Sequence, residues 1–194
     1  MWDDSSLLRA LKAGDSSALA ELFENYADRI YRLALGSLQN PAEAEDVVQE
    51  TFIKAISHID KFEGRANLGT WLYRVAYNAS MDRLRRRPES KLPSDEPDLN
   101  SPDFVPMPEV LVEWDTPEDE VISEEDRQAL GEAIQQLPDT LRIVFILRDI
   151  EDLSTAETAE ILELSEGAVK VRLHRARLDL RERLANYFAE RQAA

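Results

Sequence analysis

Between residues 16 and 38 the apolar positions fall three and four apart: Leu19, Leu22, Phe23, Tyr26, Ile30, Leu33 and Ala34. That spacing is the period of a helix with one face in a core. Ahead of it, SSLLRALKAGD predicts a short helix stopped at Gly14, with Asp15 starting the next. Behind it, NPAEAEDVVQETFIKAISHI restarts with Asn40 as cap and Pro41 at the first helical position. Val47, Thr51 or Phe52, Ala55 and Ile59 pack inward on this helix. Glu43, Asp46, Gln49, Glu50 and Lys54 are left on one polar face. A glycine-bearing loop, 63–69, then leads to a helix from near Thr70 to just before Pro88, with Trp71, Leu72, Val75 and Ala79 as its candidate buried stripe.

There the pattern breaks. Residues 92–126 hold six of the nine prolines, thirteen acids and no base, the composition of an extended tether rather than of a packed element. Within it TPED, at 116–119, offers a Thr cap, a Pro at the first helical position and acids in the first turn, so helix resumes there. Pro138 and Asp139 open a helix through Ile146 whose core side is Ile143, Phe145 or Ile146, and Leu147. Ser154 and Glu157, three apart, form a capping box for a short helix ending at Leu162, kept slim by Ala156 and Ala159. A tight ELS turn follows, then a longer helix from Glu166 to about Ala189 with Val169, Leu173, Ala176, Leu180 and Leu184 inward. The expected fold is all-α: two small helical domains, 1–87 and 118–194, joined by an extended acidic linker over 88–117.

Charge changes this picture. The chain carries a formal −16, yet residues 63–91 hold seven bases against three acids and residues 164–194 hold seven against four. Two basic islands flank the acidic tether, so the global charge describes neither. The absence of cysteine excludes disulfides, thiolate metal sites and a cysteine nucleophile, and suits a reducing cytosol. The N-terminus is not built like a signal peptide, and no apolar run approaches the roughly 20 residues of a membrane helix. A cytoplasmic protein without membrane insertion of its own is expected.

Each island has a chemical reading. In the first, Trp71, Tyr73, Tyr77, Arg74, Asn78, Arg83, Arg85, Arg86 and Arg87 make one helix aromatic and basic together. Rings stack on unpaired bases and arginines hold the flanking phosphates, though a core helix with a solvated basic face has the same pattern. In the second, short helix, three-residue turn and longer helix have the spacing of a helix-turn-helix. Lys170, Val171, His174 and Arg175 lie beside the buried stripe in the half that enters a major groove. Lysine and arginine pair with guanine edges or phosphates, and Val171 can meet a thymine methyl. The acidic face at 43–54 reads as a solvated surface or as a docking face. A helical di-metal site needs Glu-x-x-His pairs, and neither His58 nor His174 follows a Glu by three. No metal and no cofactor are expected. A stand-alone regulator with a helical sensor domain, and a protein that sequesters another regulator, stay open at this level.

EAEDVVQETFIKA, TWLYRVAYNASMDRLRRR and LSTAETAEILELSEGAVKVRLHRARLDLRERL, in this order, resemble the extracytoplasmic-function group of bacterial sigma factors, in the sigma-70 family. The resemblance covers roughly 5–87 and 120–188. It implies a non-enzymatic protein that binds core RNA polymerase and directs promoter-specific initiation, in a stress response under an anti-sigma factor. It implies docking of Asp46, Gln49, Glu50 and Phe52 on the β′ clamp helices, with a further contact on the β flap. It also implies reading and melting of the −10 element by Asn67, Leu68, Trp71, Arg74, Asn78, Arg83 and Arg86, with Leu68 where the family often has Phe. Lys170, Val171, His174 and Arg175 would read the −35 element of promoter DNA, with Arg172 and Arg177 nearer the backbone.

Overall fold

The computed structural model describes residues 4–62, 64, 67–87 and 124–193, and the expected linker, the TPED start and loop positions 63, 65 and 66 lie outside them. Helix α1 (Asp4–Lys12) gives way to Gly14, whose φ of +75° is the left-handed turn that glycine permits. Asp15 accepts from the Ser17 amide at 2.8 Å and starts α2 (Ser16–Leu38). Asn40 does the same for α3 (Pro41–His58), accepting from Glu43 N at 3.2 Å. After a 3-10 turn, Ile59–Lys61, α4 (Leu68–Arg86) begins two residues before the expected Thr70. Its cap is Asn67, which accepts from Gly69 N at 2.7 Å.

Helices α2, α3 and α4 close around Leu22, Ile30, Leu33, Val47, Ala55, Leu72, Tyr73 and Ala76, with Leu7 and Leu11 of α1 laid over one side. Phe23 departs from the expected inward stripe. It sits at the stripe's margin, 52% exposed, and stacks on Phe52 of α3 with ring centroids 4.9 Å apart.

The second group comprises α5 (Glu124–Gln135), α6 (Asp139–Phe145) running into a π-helical turn (Ile146–Ile150), α7 (Thr155–Leu162) and α8 (Glu166–Ala193). Both halves of the capping box form: Ser154 Oγ accepts from Glu157 N at 3.2 Å, and Glu157 accepts from Ser154 N at 2.8 Å. Glu163, at φ +56°, turns the chain out of α7. Val169, Leu173, Ala176 and Leu180 are buried on α8 and Leu184 packs against them, as the pattern predicts.

The two groups share one core. Helix α2 lies against α6 and the π-helical turn, and α4 lies against α7. A Cβ on Gly36 would overlap Ile146 Cδ1, so the missing side chain is what lets α2 come this close. Beside it Arg142, only 1% exposed, donates to Gly36 O at 2.6 Å, Gln135 O at 2.8 Å and Leu137 O at 2.6 Å, and pairs with Asp139. An arginine within the apolar run LRIVFIL thus ends as a clamp on carbonyls from both groups.

Candidate nucleic-acid interface

Helix α7, the turn at 163–165 and the first turns of α8 make a helix-turn-helix cemented by Ile161, Leu162, Val169 and Leu173. Ser165 Oγ accepts from Ala168 N at 3.1 Å and caps the second helix. On its outer side Lys170 and Arg175 are exposed, while Val171, Arg172, His174 and Arg177 are half-buried. His174 Nε2 is buried, with no hydrogen-bond partner among the described residues. Arg177 is fastened to Asp149 by two hydrogen bonds of 2.8 and 2.7 Å, which raise its pKa and fix its direction.

On α4 the expected residues divide. Arg74, Asn78 and Arg86 are exposed, as is the cap Asn67. Trp71 is half-buried and stacks on Phe62 at 5.0 Å. Leu68, expected at a base, is 4% exposed: as the first residue of α4 it joins the core. Arg83 turns away from the others and donates to Glu50 at 3.1 Å and Asp46 at 3.4 Å. Tyr77 is half-buried; burial pushes its phenol upward, with Arg172 of α8 close enough to oppose the shift.

The polar face of α3 presents Asp46 and Gln49 exposed and Glu50 half-buried. Glu50 accepts from Lys54 and Arg83, and those bonds, Lys54's foremost, hold its carboxyl below the usual range. Phe52, expected on this face, is buried beneath it. The pattern also missed Ile53 and Ile56, which are 65% and 49% exposed one turn further along. An apolar cleft lined by Leu11, Leu19, Leu22, Ala55 and Ile59 opens beside Ile56.

Sequence reasoning had no signal for Glu151. Its side chain is wholly buried, and it accepts from Arg29 at 2.6 Å, Arg32 at 2.8 Å and Tyr73 at 2.7 Å. Burial pushes its carboxyl up, but these hydrogen bonds outweigh burial and hold it below its ordinary value. Tyr73 moves the opposite way, raised by burial and by the carboxylate it serves.

Comparison with known proteins gives these surfaces a family. Residues 22–88 match Sigma-70 region 2 and residues 127–180 match Sigma-70 region 4. The chain is 38% identical over 178 residues to the ECF RNA polymerase sigma factor SigW of Bacillus subtilis, covering 91% of this chain and 94% of that protein. The chain belongs to the extracytoplasmic-function sigma factors of the sigma-70 family.

Its likeness to the ECF RNA polymerase sigma-E factor of Escherichia coli K12 is 34% over 177 residues, 90% of each chain. Among solved structures, the sigma factor RpoE in complex with the anti-sigma factor NepR from Bartonella quintana superimposes with a TM-score of 0.63 at 25% identity, covering 86% of this chain and 96% of that one. CnrH, in complex with the cytosolic domain of CnrY, matches in fold with a TM-score of 0.64 at 23% identity, covering 94% of this chain and 97% of that one. A sigma factor binds core RNA polymerase and directs initiation at promoters, and this one carries α2, α3 and α4 in region 2 and its helix-turn-helix in region 4. Among the described residues no group of His, Asp and Glu is placed to hold a metal, and no helix is long and apolar enough to cross a membrane.

Proposed function

We propose that this sigma factor divides promoter recognition between units 1–87 and 118–194 with 88–117 as tether. In this reading Lys170, Val171, Arg172, His174 and Arg175 meet the −35 element, and Arg177, aligned by Asp149, steadies the backbone contact. Asn67, Trp71, Arg74, Asn78 and Arg86 meet the −10 element as it opens, with Leu68 supporting them from the core. Asp46, Gln49 and Glu50 dock on the β′ clamp helices over buried Phe52, and region 4 adds a contact on the β flap. The observation that carries the reading is the capped helix-turn-helix, with Lys170 and Arg175 exposed on its second helix.

The work is binding rather than bond chemistry. Opening a few base pairs requires several kcal/mol, since a DNA stacking step averages about 1.4 kcal/mol. Contacts to unpaired bases along α4 must offset that. The protein acts in the cytoplasm, where polymerase is. The Bartonella relative is held by an anti-sigma factor. Here such a partner would cover Asp46, Gln49, Ile53 and Ile56, because a masked docking face keeps the factor from polymerase.

The residue assignment is tested by pairing two assays, core-polymerase binding and promoter-specific transcription. Asp46→Lys should abolish core binding, whereas Arg175→Ala should keep core binding and lose transcription. Loss of both functions in both variants, with the fold intact, would contradict the division.

A further inference from the structure

Helix α1 lies ahead of the stretch that matches region 2 and packs on it through the buried Leu7 and Leu11. Its last residue, Lys12, makes a contact of another kind. Although the residue is exposed, its Nζ donates to the Phe62 carbonyl at 2.7 Å, fifty residues along the chain. With Phe62 the chain leaves the 3-10 turn on its way to α4. The Phe62 amide donates to Ile59 O at 3.1 Å, so both backbone polar groups of this residue are engaged. Its ring is 9% exposed and stacks on Trp71 with centroids 5.0 Å apart. Phe62 thereby ties the end of α1 to the opening turn of α4.

A second support reaches the same turn from α2. Asn67 caps it, and Gly69 leaves room for Tyr26: a Cβ there would stand 2.9 Å from Tyr26 Oη and 3.3 Å from Asn67 Oδ1. The Tyr26 support is packing at the edge of the core. The Phe62 support hangs on a carbonyl held by one lysine.

We propose that Lys12 is a positioning residue for promoter opening: by holding the Phe62 carbonyl it sets the Phe62 ring, and through it the Trp71 ring, where an unpaired −10 base stacks. The consequence at DNA rests on the reading of Trp71 as a −10 contact; the hold itself does not. Trp71 is half-buried, so part of its ring is left for a partner. A ring ordered before the strand arrives spares binding the entropy of ordering it. An ammonium on a carbonyl makes a charge-assisted bond, stronger than a neutral one, which suits a holder that itself sits in water.

The chain has three tryptophans, so Trp2→Phe with Trp114→Phe leaves Trp71 alone to report. In this full-length parent Lys12→Met, Lys12→Arg and Arg9→Met are compared. Methionine matches lysine in helix propensity and removes the donor, and arginine restores one. Arg9→Met removes the same charge from the same last turn of α1 and leaves the Lys12 bond in place. Acrylamide quenching of Trp71 is read in the free protein. Affinity for the single-stranded non-template strand of a promoter mapped by transcription is read in the holoenzyme. In Lys12→Met the expected result is readier quenching and about three- to tenfold weaker strand binding, at unchanged helix content and core binding. Lys12→Arg should restore both, and Arg9→Met should change neither.

Quenching in Lys12→Met equal to the parent's overturns the proposal, and so does an equal loss in Arg9→Met, which would make charge at the end of α1 the cause. Trp71→Ala, read on the same strand, tests the underlying assignment separately. If it weakens strand binding while Lys12→Met does not, the proposal falls and the assignment stands. If it leaves strand binding unchanged while Lys12→Met is more readily quenched, the hold stands and the −10 assignment of Trp71 falls.

Discussion

Arg83 of α4 reaches back to Glu50 of α3, Nη2 to Oε2 at 3.1 Å. The residue expected among the DNA contacts thus braces the acidic face of α3 that is proposed to dock polymerase. Both side chains are partly exposed, so the pair contributes at most about 1 kcal/mol. Arg83→Ala should weaken core-polymerase binding by about fivefold or less, consistent with that bound. It should leave −10 strand affinity of the polymerase-bound factor unchanged. Competition for core against unaltered protein reads the first, and strand binding by the holoenzyme reads the second.

Lys170 and Arg175 stand exposed on one side of α8. A base-edge contact is worth about 1–3 kcal/mol of discrimination and a phosphate contact weakens binding evenly across sequences. Arg175→Ala should lower initiation roughly tenfold or more at promoters with an intact −35 element. It should narrow the difference between intact and altered −35 sequences. Initiation rates on a panel of −35 variants measure both.

Ser154 and Glu157 cap the first helix of the helix-turn-helix reciprocally. Ser154→Ala should destabilise the protein by about 1 kcal/mol and lower Tm by about 2–4 °C. The Ser154 hydrogen bonds, foremost that of its side chain, hold the Glu157 carboxyl below its ordinary value. Because the folded value is the lower one, the Glu157 contribution is complete above the ordinary carboxylate range and disappears as pH falls through the folded value. In Ser154→Ala the carboxyl should titrate closer to 4.5, which NMR titration resolves.

Tyr73 donates to Glu151 at 2.7 Å in a buried setting. A hydrogen bond to a charged group contributes about 1.5–3 kcal/mol, so Tyr73→Phe should lower thermal stability by that order. Glu151→Ala should do more, though below the about 3–5 kcal/mol of a fully buried pair, because Arg29 and Arg32 are 36% and 45% exposed and partly screened. The Glu151 pKa is also lowered in the folded protein, so its stabilisation is present above 4.5 and lost as pH falls through the folded value. Thermal melts across that acid range should show a smaller pH dependence for Glu151→Ala than for the parent.

Local chemistry made most of the helices legible. Asp15, Asn40 and the Ser154–Glu157 box each sit where the chain pattern put them, because caps act within three residues. Helix α4 starts two residues before the expected Thr70 because Asn67 caps it and Leu68 supplies core area. Phe52 and Leu68 show a limit of resemblance: a motif position is a face of a helix only after the helix has been packed. The joining of the halves was invisible for a different reason. Gly36, Arg142 and Glu151 act over more than a hundred residues of chain, and no period or cap encodes such pairing. The one hint was an arginine inside LRIVFIL, where a charge has no business unless carbonyls await it.

Promoter direction by this protein is tested most directly by transcription with sigma-free core polymerase, supplied with the protein and genomic DNA of its host, with every new start mapped. The prediction is a set of starts sharing two short motifs at constant separation, the upstream motif losing influence in Arg175→Ala. No new starts, from folded protein free of any inhibitor, would contradict the account.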